Sequence, residues 1–417
     1  MPPTDPRAPR VLLSALALAQ PMGGVRRQAA ELFPRVARLL QAAGGRLDVL
    51  ASKHGLPADL AGRLPGDVRV ISSPAAAGGP LARALSEPRA LQASIDAAKR
   101  AGEPYDLVHT GHMPVPSIDV PFTLMLHDLR DLDASLTPLL RRKIAERLLP
   151  KTLGRAAGIL TVSNTMVHDL AERFPDVKHR VRLVPHGSDH LTLARRTQGA
   201  RAGDDSNQSG PSATGEANFK QAPSQPNAGT LGFETAGDED APILYLGHLE
   251  PRKNVELLLE AVALDPSLPR LLIVGRPKSN EGRRLARLAK KLDIKERVHF
   301  QGPVDERHLP ELLATAGCMV LPSRLEGFGI PVLEAHRAGL PLAIARTAAL
   351  VEAAAPGTPC FSADEPEECA RALHGALNQS STQILDAQLF AAKSTWDLGA
   401  AALFEAWTEA ASPWIRD

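Results

Sequence analysis

One alternation constrains this chain more than any other feature. Short apolar runs at 11–19, 47–51, 68–71, 107–109, 122–126, 159–162 and 181–184 are separated by stretches of helical periodicity. After one interruption the pattern resumes at 243–246, 271–274, 298–300, 319–321 and 342–345. Apolar runs of strand length set between helices build parallel sheets covered on both faces, with ligands collecting beyond the carboxyl ends of the strands. The expected fold class is α/β, with two Rossmann-like parallel-sheet domains facing a central cleft. Length agrees, because 417 residues exceed what one hydrophobic core sustains.

The interruption at 196–240 is rich in Gly, Ser, Pro, Asn, Gln, Asp and Thr, with Phe219, Leu231 and Phe233 as its large apolar residues. Such a segment cannot bury enough surface to offset its ordering entropy, so it is expected to be a disordered insertion. It divides an N-terminal domain, 1–195, from a C-terminal domain, 241–387. The tail, 388–417, reads as one or two helices anchored by Phe390, Trp396, Leu403, Phe404 and Trp407, and is expected to cross back onto the first domain.

Bulk chemistry narrows the function. A formal net charge of +1 gives no global pull toward nucleic acid. Cys318, Cys360 and Cys369 are odd in number and lack metal-ligand spacing, which argues against a disulfide framework or zinc site and for a reducing, cytoplasmic setting. Arg7 and Arg10 before the run 11–19, with Ala17-Leu18-Ala19 at its end, imitate a secretion signal. That run is shorter than the roughly 18 apolar residues of a membrane span and leads directly into Gly23-Gly24, so it is read as the first strand.

Three loop motifs carry chemistry. In Leu321-Pro322-Ser323-Arg324-Leu325-Glu326-Gly327-Phe328-Gly329-Ile330-Pro331, a buried strand ends, two glycines let backbone approach a ligand, and proline opens a helix. The amides of Phe328, Gly329 and Ile330 then face outward beside a helix amino end, which favours phosphate. Glu334 follows in the first turn. Gly247-His248-Leu249-Glu250-Pro251-Arg252-Lys253-Asn254 sets a forked guanidinium beside an ammonium, a pair suited to a diphosphate leaving group. Met22-Gly23-Gly24-Val25 after the first strand allows close backbone approach but is neither a dinucleotide fingerprint nor a P-loop. His127, after the run 122–126, lies at the same sheet edge. Asp131-Leu132-Asp133 imitates a metal-binding pair but sits several residues beyond its strand, so no metal is expected. Taken singly, each motif also fits a structural role: first-turn acid, surface cations, tight turn, packed histidine.

Together they resemble the retaining glycosyltransferases of family 4, the group 1 enzymes of GT-B fold. Thr161-Val162-Ser163-Asn164, Val184-Pro185-His186-Gly187-Ser188-Asp189 and Ser394-Thr395-Trp396 extend the resemblance over nearly the whole chain outside the insertion. It implies that Arg252 and Lys253 grip the diphosphate of a nucleotide-sugar donor, Glu334 binds the ribose hydroxyls, and Glu326 touches the transferred sugar. It further implies that Phe328, Gly329 and Ile330 hold sugar and phosphate through their amides, that Gly23 and Gly24 bring the first domain to the diphosphate, and that His127 lies near the reacting centre. Such enzymes use no metal or cofactor, and the leaving phosphate helps to deprotonate the acceptor during same-face attack. His127-Asp128-Leu129 is most similar to the bacterial mannosyltransferases of surface polysaccharide assembly, making GDP-mannose the choice by analogy and a glycan or lipid-linked molecule the acceptor. Departures from the family lie at Ala335-His336-Arg337-Ala338-Gly339 and Pro341-Leu342-Ala343-Ile344-Ala345, and bear on packing more than chemistry.

The stretch 141–155 sets Arg141, Arg142, Lys143, Arg147, Lys151 and Arg155 against a single Glu146, beside Ile144, Leu148, Leu149 and Leu153. It fits peripheral contact with an anionic membrane at the inner face, or a solvated basic face over an ordinary core stripe. Rival readings of the whole chain are a sugar-nucleotide epimerase of related fold and a binding protein that keeps the cleft without turnover.

Overall fold

The computed structural model describes residues 8–19, 23–73, 80–111, 115, 118–134, 136–191 and 241–413. The insertion expected at 196–240 lies outside them, as do Met22 and Trp414.

The first sheet has seven parallel strands: β1 (Arg10–Ser14), β2 (Arg46–Ala51), β3 (Arg69–Ser72), β4 (Leu107–Thr110), β5 (Phe122–Leu126), β6 (Gly158–Thr161) and β7 (Val181–Leu183), in spatial order β3-β2-β1-β4-β5-β6-β7. Its helices are α1 (Gly24–Ala42), α2 (Ala58–Ala61), α3 (Pro80–Arg100), α4 (Leu139–Arg155) and α5 (Asn164–Arg173). The run 11–19 is not one strand. It ends at Ser14, and Leu16–Ala19 makes a single 3-10 turn. Alternating Leu and Ala lack the β-branched side chains that hold a strand extended, and the turn still buries Leu16 and Leu18.

The second sheet has six parallel strands: β8 (Ile243–Leu246), β9 (Leu271–Val274), β10 (Val298–Gly302), β11 (Cys318–Leu321), β12 (Leu342–Ala345) and β13 (Cys360–Phe361), in order β10-β9-β8-β11-β12-β13. Its helices are α6 (Val255–Leu264), α7 (Glu281–Lys291), α8 (Leu309–Thr315), α9 (Ile330–Ala338), α10 (Ala348–Ala353), α11 (Pro366–Leu377) and α12 (Ser381–Ala392). Strand β13 has no counterpart among the expected runs, because two residues leave no periodicity to detect.

Both sheets reverse their winding at one point, between β1 and β4 and between β8 and β11. The loops that follow these strands are where an open α/β sheet forms its crevice. Glycines 23–24, residues 247–254 and residues 322–329 all sit there.

The last helix, α13 (Trp396–Ala411), packs along α1 and under β4, β5 and β6, while α12 stays against α9. Position 388 therefore falls inside α12, and the chain passes between domains after Ala392. Trp396, Leu403 and Trp407 are fully buried in the first domain's core beside Leu32, Val36 and Leu40.

Candidate active site in the cleft

Two loops at the switch point of the second sheet are bound into one unit. Asn254 closes the one-turn helix Pro251–Lys253 in a left-handed conformation, φ 55°, which asparagine tolerates better than most residues. Its Nδ2 donates to the carbonyls of Pro322 at 3.2 Å and Ala363 at 2.8 Å. The amide of Arg324 donates to the carbonyl of Arg252 at 2.9 Å. The loop after β8 is thereby fastened to the loop after β11.

This fastening brings three expected site residues into contact. Lys253 Nζ pairs with Glu326 Oε1, Arg252 Nη1 lies 3.2 Å from Glu326 Oε2, and Ser323 Oγ donates to Oε1 at 2.7 Å. Burial alone would raise the Glu326 carboxyl, but the two cations outweigh it and hold the group below its ordinary value. Arg252 also reaches Glu250 Oε1 at 2.7 Å, and Lys278 holds the other oxygen of Glu250 at 2.9 Å. The cationic pair thus rests against carboxylates of its own domain.

Helix amino ends meet across the cleft. Neither α1 nor α9 has a side chain capping its first-turn amides; the cap positions are Gly23 and Gly329, with φ of 52° and 107°. A Cβ on Gly24 would lie 3.6 Å from Ile330 Cδ1, so the two helix starts face one another. Two partial positive charges facing one another across the domains are an arrangement that favours an anion and that neither domain forms alone. Gly327 is held still closer: a Cβ there would lie 1.6 Å from the carbonyl oxygen of His127, and its own carbonyl accepts from Ser163 Oγ at 2.7 Å. Phe328 stands edge-on to His186 at 5.0 Å between ring centroids.

His127 follows the end of β5 and lines a small pocket in the first domain, walled by Leu13, Val25, Gln28, Phe33 and Met125. Burial pushes its imidazole down to about 4, so it is neutral at physiological pH. A second small pocket lies between the domains with Glu326, Leu325, Asp133, Thr165 and Asp169 on its walls. Asp131 is paired with Arg141 at 2.9 Å rather than standing free for a cation. Among the described residues, no group of three or more His, Cys, Asp or Glu is arranged to hold a metal.

Glu334 lies in the same cleft, nearly buried, with Arg27 at 3.7 Å and His190 at 3.0 Å, both on Oε1. Neither partner was singled out from the sequence. Arg27 follows the glycine pair by one helical turn, a spacing that could have flagged it, whereas His190 carries no motif. Glu352 was missed as well. From α10 it accepts the amides of Asn164 and Thr165, at 2.6 and 2.7 Å, and so caps α5 from the opposite domain.

The geometry has family relatives. Residues 22–190 match the model for Glycosyltransferase Family 4, and residues 233–393 match that for Glycosyl transferases group 1.

The chain belongs to the group 1 glycosyltransferases of GT-B fold.

D-inositol 3-phosphate glycosyltransferase of Streptomyces griseus is 33% identical over 193 residues, 42% of this chain and 40% of that protein. O-antigen chain mannosyltransferase B of Escherichia coli is 37% identical over 112 residues, 26% of this chain and 29% of that protein. These matches span well under half the length of either relative. Among solved structures, HepE of Anabaena in complex with UDP and glucose aligns with a TM-score of 0.62 at 17% identity, covering 95% of this chain and 98% of that one. WaaG, a glycosyltransferase involved in lipopolysaccharide biosynthesis, aligns with a TM-score of 0.63 at 20% identity and the same coverage. At such identities the likeness establishes the GT-B fold of this group 1 chain.

Proposed function

We propose that this group 1 protein is a retaining hexosyltransferase. It moves a sugar, with mannose the choice by analogy, from a nucleoside-diphosphate donor to a glycan or lipid-linked acceptor in polysaccharide or glycoconjugate assembly, without metal or cofactor. The observation that carries this reading is the pair of uncapped helix starts facing one gap beside Arg252 and Lys253. That gap suits a diphosphate. When a diphosphate enters, it competes with Glu326 for the two cations and frees that carboxylate for hydroxyls of the sugar. Glu334 takes the ribose.

In the transfer step the bond between C1 of the sugar and the diphosphate oxygen breaks, and the acceptor oxygen bonds to C1 on the same face. The acceptor proton passes to the departing phosphate. Arg252, Lys253 and the helix ends stabilise the charge that develops there, which differs from ground-state binding because it grows only as the bond breaks. His127 stays neutral and is placed to hydrogen-bond sugar or acceptor from the apolar cavity of the first domain.

Chelator-treated protein incubated with UDP- and GDP-sugars, with and without a membrane extract, tests the reading by release of nucleoside diphosphate. Turnover of one donor, raised by extract and lost in Glu326→Ala, is expected. Donor binding without turnover, even with extract and added metal, would transfer the reading to a binding protein; donor consumption without acceptor dependence would favour the epimerase.

A docking surface accompanies this reading. On α4, Leu140, Ile144 and Leu148 are 74, 50 and 41% exposed and follow one another at four-residue spacing, with Arg147 before and Lys151 after Leu148. Ala145, Leu149 and Leu153 form the buried face. Among the described residues no helix is long and apolar enough to cross a membrane. An exposed apolar stripe edged with cations suits peripheral contact with an anionic inner leaflet, beside which lipid-linked acceptors would be presented. Failure to sediment with phosphatidylglycerol vesicles at any salt concentration would remove it.

A further inference from the structure

Two chain segments join the domains side by side, and one of them touches the cleft. The segment 186–191 leaves the first domain, and the return after α12 runs against it. The amide of Ser188 donates to the Ser394 carbonyl at 3.1 Å, and Asp189 Oδ1 accepts the Trp396 amide at 2.7 Å. A Cβ on Gly187 would lie 2.2 Å from Trp396 N, so this approach requires glycine. Between these contacts lies His190, 3% exposed in its side chain.

The His190 ring has a determined tautomer. Trp396 Nε1 can only donate, and it lies 3.0 Å from His190 Nδ1; that nitrogen must accept. The ring proton is therefore on Nε2, 3.0 Å from Glu334 Oε1, where it donates. Among the described residues, the contacts of Glu334 with His190 and with Arg27 both fall on Oε1, which leaves Oε2 as the oxygen presented to a ligand. A buried carboxylate with one oxygen anchored is oriented as well as solvated.

We propose that His190 is a positioning residue for the donor's ribose: set in its tautomer by Trp396 at the domain crossing, it anchors Glu334 Oε1 and aims Oε2 at the ribose hydroxyls. This rests on the reading of Glu334 as the ribose ligand. It makes the connecting segments part of the donor site, so that their geometry and ribose recognition are coupled.

Calorimetric titration of the full chain with UDP, GDP and their 2′- and 3′-deoxy forms tests it, with melting curves recorded for every variant. Wild type should prefer the ribo form of its nucleotide. In His190→Ala the ribo form should weaken about tenfold while the deoxy forms hardly change, the scale of one hydrogen bond to a charged group. His190→Gln, whose amide can still donate, should recover most of the preference, and Trp396→Phe, which removes the indole N–H but keeps an aromatic ring, should lose part of it. Equal weakening of ribo and deoxy forms in His190→Ala, or no recovery in the glutamine variant, overturns the proposal. If Glu334→Gln abolishes the preference while His190→Ala retains it, the positioning role alone fails; if Glu334→Gln also retains it, the ribose reading fails first. Should His190→Ala not fold, an unchanged preference in Trp396→Phe overturns the tautomer link, and a reduced one supports it.

Discussion

The two domains wind their strands in the same order around the same switch point, yet the loops beyond it differ in kind. In the second domain they carry Arg252, Lys253 and Glu326, joined by direct ion pairs, and lead into α9, which carries Glu334. In the first they carry glycine, a neutral histidine and the wall of an apolar cavity. One topology thus carries a face of paired charges on the second domain and, on the first, a face of glycine, histidine and apolar wall from which Arg27 reaches Glu334 across the cleft. The difference shows why the strand order reveals where a ligand sits, and only the loop chemistry reveals which ligand.

The strongest way to break this comparison is to remove charge from the second domain. Lys253→Ala and Glu326→Ala should each lower kcat about 100-fold or more in a protein that still folds, because a preorganised electrostatic contact is lost, and the broken buried ion pair should lower the melting temperature as well. Near-wild-type turnover in either variant would show that the charged face is not the catalytic one. Next in size is Trp407→Ala. The ring is fully buried and its Nε1 lies 3.2 Å from His109 Nδ1, so about 3–5 kcal/mol of stability should go, read by denaturant titration. If the loss appears with the first domain's cooperative unit, α13 belongs there energetically as well as spatially; if it follows the second domain, the assignment of the tail is wrong.

A smaller effect concerns pH. Burial lowers His109 and His186 to about 3 and His127 to about 4, well under an ordinary imidazole. The unfolded chain therefore binds protons from roughly pH 6.5 downward that the folded chain refuses until about pH 4. Stability should fall as pH drops through that window, and all three groups lie in the first domain. Glu326 and Glu334 act lower: their depressed values give stability that is complete above the ordinary glutamate range and lost on acidification through it. Melting temperatures between pH 7 and 4.5 that stay flat would refute the histidine assignment. The least disruptive change is Glu352→Ala, which removes the acceptor of the Asn164 and Thr165 amides across the cleft while Ser163 still caps α5. A few-fold rise in donor KM with nearly constant kcat is expected, on the scale of a lost helix cap; an unchanged KM would mean that this contact between the domains does not bear on donor binding.

Much of this was legible without coordinates. Parallel sheets with buried strands leave unbroken apolar runs, and glycine, Arg-Lys and Glu at loop positions carry their chemistry locally, so the fold class and the charged residues of the site follow from the amino-acid order. What the order could not supply were pairings set by distance in space. Leu16–Ala19 reads as a continuation of β1, yet it coils into a 3-10 turn that still buries Leu16 and Leu18. Strand β13 exists only because β12 offers it an edge. His190 and Glu352 have no local signature; each is selected by a partner 144 or 188 positions away. Sequence alone therefore determined which chemistry each loop can offer, because that depends on residue type and near neighbours. Tertiary structure alone decided which carboxylate faces which cation and which helix starts share a gap, because hydrogen bonds and ion pairs act over a few ångströms between elements that the chain itself keeps far apart.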